Sequence, residues 1–136
     1  MMITCTFRSS RLSKLKLNQA MNTIEQASQR DPFPPDGLWD VYAMIACSLG
    51  RYGDAIAAYH RMGELPPWGF GFLAIAHGGL GQMAEARANA ALYLQRSRRK
   101  SVDGFFRGDP FQEPEVLARF RKHLIDAGMP EHDPET

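Results

Sequence analysis

An all-α array of helical hairpins is the fold this chain predicts, and three observations predict it. Trp39, Tyr42, Ala43 and Ala46 lie at i, i+3, i+4 and i+7 and are followed by Gly50, the pattern of a buried helix stripe that ends in a turn. Phe70, Leu73, Ala74 and His77, followed by Gly81, repeat that pattern. Strand-like alternation is confined to Ile3, Cys5 and Phe7 between threonines, and a lone strand there has nothing evident to pair with.

Residues 1–10 therefore read as an irregular arm, or as a helix made by default. Residues 11–30 read as a helix that ends before Asp31-Pro32, with Ala20, Ile24 and Ala27 on its packed face. No aromatic–small pattern precedes it, so the array opens with half a repeat near 11–34. Leu12, Leu15, Leu17 and Met21 are left without evident cover. In a stacked array each helix expects neighbours on both sides, which makes these four side chains a candidate self-association edge.

Asp31-Pro-Phe-Pro-Pro-Asp-Gly37 is a stiff connector in which Phe33 plugs a gap between helices. The first full repeat runs near 36–67. Asp36 or Gly37 caps its start, and Gly50 supplies the left-handed conformation that closes a helix cheaply. Ala55, Ile56, Tyr59 and Met62 make the face of its second helix, Asp54 sits in the first turn where the dipole favours an anion, and Pro66-Pro67 stop the run. The second full repeat runs near 68–100, with Met83, Ala86, Ala90 and Tyr93 on its second helix. Gly69, Gly71, Gly78 and Gly79 weaken its first helix, by up to about 1 kcal/mol for each interior glycine. Close helix contact is the reason expected for them. Arg96, Arg98, Arg99 and Lys100 complement the C-terminus of the last long helix.

Residues 101–112 hold Phe105, Phe106 and Phe111, too apolar for a free linker, and are expected to pack on the last repeat. Pro114 opens a capping helix at 113–127. Val116, Leu117, Phe120, Leu124 and Ile125 form its buried stripe, with Arg119, Arg121 and Lys122 on the outer face and Gly128 at the end. Residues 129–136 read as a disordered tail.

The order Trp39, Ala43, Gly50, Ala55-Ile56, Tyr59, Pro67 resembles the tetratricopeptide repeat, a helix–turn–helix unit of about 34 residues. Tyr42, Ala46 and Met62 depart from its usual Leu, aromatic and Ala without changing which side is buried. The interval from Ala55 to Ala86 falls short of the usual period, so a local change in superhelix angle is expected. The resemblance implies a TPR-like array of a half repeat, two repeats and a C-terminal capping helix.

A narrower likeness covers roughly residues 18–131. The connector D-P-F-P-P, the stretch L-G-R-Y-G-D-A-I-A-A-Y and the end A-G-M-P-E are similar to the C-terminal repeat region of bacterial class III adenylate and guanylate cyclases. That resemblance implies a regulatory interaction region, in a stand-alone relic, a fragment or a free adaptor. It implies no catalysis, because no strand-rich region is present to carry the cyclase acids.

The remaining chemistry is sparse. Net charge is +1, with 44% apolar and 23% charged residues, so there is no global field toward nucleic acid. No apolar run approaches a membrane span, and residues 1–10 carry no secretory pattern. A cytoplasmic chain with reduced Cys5 and Cys47 is expected. His60, His77, His123 and His132 form no ligand pair, and the glycines of α-helical spacing make no phosphate loop. No enzyme, metal or cofactor is expected.

Repeat arrays bind on the face made by the first helix of each pair. Projecting those helices places Asp40, Met44 and Cys47 beside Trp68 and Ile75, a mildly apolar partner-binding groove with one acid. An apolar or basic protein segment suits it better than an acidic tail. The alternatives are a groove filled by the chain's own capping helix, and a structural module that dimerises through helix 11–30.

Overall fold

The computed structural model describes residues 2–30, 36–107 and 114–132, with the side chains of 2–14 and Asp36 left aside. Phe33 and Phe111 lie outside the described residues. Every described element is a helix: α1 Met2–Arg30, α2 Asp36–Ser48, α3 Tyr52–His60, α4 Pro67–Gly79, α5 Met83–Arg96, α6 Val102–Phe106 and α7 Pro114–Asp126. The chain is all-α as expected.

The helices pair in sequence. α2 packs on α3, α4 packs on α5, and α3 packs on α4 so that the two hairpins stack. Their turns are built alike. Gly50 and Gly81 have φ of +79° and +77°. At the first turn, Arg51 N–H donates to Ala46 O at 2.8 Å and Gly50 N–H to Cys47 O at 3.1 Å. At the second, Gln82 N–H donates to His77 O at 2.8 Å and Gly81 N–H to Gly78 O at 3.1 Å. These paired bonds satisfy the last carbonyls of a helix only when the residue between them is left-handed, which glycine alone does without a steric penalty. Of the predicted stripes, Trp39, Tyr42, Ala43, Ala46, Ala55, Tyr59, Leu73, Ala74, Ala86, Ala90 and Tyr93 are buried, while Ile56, Met62, Phe70, His77 and Met83 are half-buried.

Residues 2–10 continue α1, the helical one of the two readings and not the irregular arm; a helix satisfies its backbone internally where no second strand is at hand. Three further expectations are corrected. The packed face of α1 is Met21 and Ile24, both buried, with Leu17 half-buried and Ala27 exposed. The larger side chains turn inward because they remove more apolar area from water. Residues 101–106, expected as connector, hold a short helix capped by Ser101, whose Oγ accepts from Gly104 N–H at 2.9 Å. The tail is ordered through His132: Met129 is buried, and Val102 and Asp103 N–H donate to Pro130 and Glu131 O at 2.8 and 3.1 Å.

α7 does not merely close the array from outside. It lies on α4, and Arg119 turns inward, donating from Nη2 to Cys47 O at 3.1 Å and Ser48 O at 2.6 Å. A cation on the last carbonyls of α2 complements both its unsatisfied acceptors and its dipole. Phe120 and Leu124 are buried as expected, but Ile125 is 39% exposed.

Candidate functional site

The surface shared by α2 and α4 is where the predicted groove falls, and the C-terminal segment covers most of it. Phe105 of α6 lies over Gly71, where a β-carbon would overlap its ring. It meets Phe72 edge-on at 5.2 Å and Tyr93 at 5.3 Å between ring centroids. α7 covers the later half through Phe120, 6.0 Å from Phe72, and through His123, whose Cβ lies 3.3 Å from where a β-carbon on Gly78 would stand. The groove is therefore largely self-occupied.

Two of the five predicted groove residues are lost to this arrangement. Cys47 and Ile75 are both fully buried. The Cys47 thiol faces Phe72 O at 3.7 Å, and burial pushes its pKa up. The alternative expected for this face, a groove filled by the chain's own capping helix, is met in part by α7, with α6 sharing the cover.

Asp40, Met44 and Trp68 stay together. With Val41, 46% exposed, and the rings of Phe72 and Phe105, they line an open cleft of about 370 Å³. Asp40 organises it. Its Oδ2 accepts from Trp68 Nε1 at 2.9 Å and its Oδ1 from the Tyr59 hydroxyl at 3.0 Å. Both carboxylate oxygens thus hold the fold's own donors. Burial first, and Asp40 second, raise the Tyr59 pKa, so the hydroxyl stays protonated and donating.

The same cleft is lined by Arg99 and Arg107, which sequence reasoning did not place there. Arg99 Nη1 donates to Gly104 O at 3.1 Å and Arg107 O at 2.8 Å, so it staples the α5 exit to α6. The expected one-acid groove therefore also carries two guanidinium groups in its lining. The usable signal was the S-V-D-G start of α6, whose serine cap marks a helix that would bring the arginine-rich exit back toward α4.

Trp68, 48% exposed, is a ridge. Beyond it a second cleft of about 420 Å³ is lined by Pro67, Tyr93, Ser97, Arg96 and Arg98, and shares Trp68, Arg99 and Phe105 with the first. A third cleft, of about 440 Å³, lies between α1, α2 and α3, but its polar groups are matched internally. Tyr42 donates to Glu25 at 2.6 Å, Asp54 pairs with Arg51 at 2.7 Å, and Arg61 lies 4.7 Å over the Trp39 ring. Burial, then the Glu25 bond, push the Tyr42 pKa up to about 12.

On the predicted self-association edge, Leu15 is 58% exposed and Leu17 half-buried. Met21 is fully buried with Arg51 Nη1 3.5 Å from its sulfur, so it is withdrawn from that edge; the side chain of Leu12 lies outside the described residues. Among the described residues, no group of three His, Cys, Asp or Glu could hold a metal ion, and no helix is long and apolar enough to cross a membrane. No family model matches the chain, and no curated protein and no solved structure matches it.

Proposed function

We propose that this chain is a non-enzymatic protein–protein interaction module, a TPR-like scaffold akin to the regulatory repeat region of a bacterial nucleotidyl cyclase. The observation that carries the reading is the cleft at Asp40, Val41, Met44 and Trp68. It leaves a half-exposed indole and apolar side chains open to solvent, on the face that repeat arrays use for partners. The groups around it favour recognition over chemistry, since the single acid among its described residues is engaged by Trp68 and Tyr59. The test is a pull-down from cell lysate with the wild-type chain beside Met44→Glu. Partners captured by the wild type and lost in the variant support the module; identical captures refute the cleft as its working surface.

A second reading, a structural module that dimerises through α1, keeps one supporting observation, the 58% exposure of Leu15. Sedimentation of wild type and Leu15→Glu decides it. A dimer that the substitution weakens supports it, and a monomer in both refutes it.

A further inference from the structure

Resting on the interaction-module reading, we propose that the ridge of Trp68 and the two clefts beside it recognise a short acidic peptide segment that carries aromatic or aliphatic anchors. The argument is charge complementarity over an apolar floor. Four arginines line the pair of clefts, Arg99 and Arg107 on one side of the ridge and Arg96 and Arg98 with Arg99 on the other. Among the described residues the one acid lining them is Asp40, a single negative charge against four positive ones, and both its oxygens are already engaged by the Trp68 and Tyr59 donors. The whole chain carries only +1, so this is a local positive field and not a property of the surface at large.

The arginines are not all consumed by the fold. Arg99 is held by the carbonyls of Gly104 and Arg107, and Arg96, itself exposed, lies 5.2 Å over the Phe70 ring. Lys100, by contrast, caps the Leu94 carbonyl. Arg98 is exposed. Guanidinium forks match carboxylates bidentately, while Met44, Trp68 and Phe105 supply the aromatic and thioether surface that anchors an interface centre. A nucleic-acid strand is the weaker match, because a phosphate chain needs a longer basic track than one ridge offers.

The experiment is panning of a displayed library of random peptides against the full chain, with Arg96→Glu/Arg98→Glu, Arg98→Glu and Met44→Glu beside it. All are checked for native helicity by circular dichroism. The expected result is enrichment of sequences that join Trp, Phe or Leu to Asp or Glu. Their synthetic versions should shift the emission of exposed Trp68, lose roughly tenfold in affinity with either arginine variant, and weaken with salt. Basic or uncharged peptides that Met44→Glu abolishes would overturn the acidic specificity and leave the interaction module standing. No enrichment, or enrichment that Met44→Glu leaves unchanged, would overturn both. Tight binding of an oligothymidine in place of peptides would also overturn the proposal.

Discussion

α2 and α4 are the leading helices of two hairpins with the same turn chemistry, and they end in different surroundings. α2 buries one stripe, Trp39 to Cys47, and leaves Val41 in solvent. α4 is buried at six consecutive positions, Gly71 to Ala76, because α5 lies on one side of it and α6 and α7 on the other. Its glycines are where rings come down on the backbone: Phe105 on Gly71 and Tyr52 on Gly79, each overlapping the space of a β-carbon. The comparison teaches that a glycine-rich helix of low intrinsic propensity is tolerated where packing from several directions replaces what propensity lacks. α2, covered on fewer sides, keeps the open cleft.

The comparison breaks hardest if the cover of α4 is hollowed out. Phe120 is fully buried, with Phe72 of α4 6.0 Å and Phe106 of α6 6.4 Å away between ring centroids. Phe120→Ala should cost about 3–5 kcal/mol, which thermal unfolding would read as a fall of more than about 10 °C. Val41→Ala, on the open side of α2, should stay within about 0.5 kcal/mol. Similar small losses at both sites would mean that α7 contributes little to holding α4.

Gly71→Ala sharpens the point. Alanine is the better helix former by about 1 kcal/mol, yet its methyl would collide with Phe105, which is held among Phe72, Tyr93 and Phe106. Overpacking of this kind costs about 1–3 kcal/mol, so the net change in denaturant unfolding should be a loss. A gain would show that α6 lifts off readily.

These positions also mark how far the sequence was legible. The stripes of α2 to α5 and both turns were readable, because 3.6-residue periodicity and a left-handed glycine are local signals. That Asp40, Met44 and Trp68 share one cleft was legible for the same reason. What was missed is long-range. Cys47 and Ile75 look like groove residues until the C-terminal segment covers that face, and Arg99 looks like a helix-end charge until it and Arg107 line one cleft with Asp40. Met21 was assigned to the wrong side of α1, since a face with no aromatic marker is fixed only by what α2 offers it.

The C-terminal cover can be titrated, because its two histidines respond to pH in opposite directions. His132 shares a 2.6 Å hydrogen bond with Asp103, whose other oxygen takes Arg121 at 2.9 Å, while Arg121 also reaches Glu131 at 3.2 Å. The Asp103 bond holds the His132 pKa above its ordinary value of 6.5. Its contribution is therefore fully present below pH 6.5 and is lost as pH rises through the raised folded value. His123 is packed edge-on against Tyr52 at 5.9 Å; burial first, and Lys122 second, lower its pKa. Below pH 6.5 the unfolded chain takes up a proton that folded His123 resists, so this site loses stability as pH falls. In unfolding measured from pH 5 to 8, His132→Gln should flatten the loss on the alkaline side and His123→Gln the loss on the acid side. Unchanged profiles in either variant would contradict the corresponding contact.

Gly78→Ala carries the smallest expected effect and separates the two roles that glycine plays in α4. Here a β-carbon would meet His123 Cβ at 3.3 Å and Nδ1 at 3.4 Å, tighter than ordinary contact but without the overlap seen at Gly71. His123 is half-buried and belongs to α7, a surface helix that can give by a few tenths of an ångström. Helix propensity favours the alanine by up to about 1 kcal/mol, and the strained contact removes part of that. The expected outcome is a change between zero and about 1 kcal/mol of added stability, opposite in sign to Gly71→Ala. A clear loss at Gly78 would mean that α7 is held as rigidly on α4 as α6 is. The two glycines would then be equivalent seats, and the C-terminal cover would act as one unit along the whole length of α4.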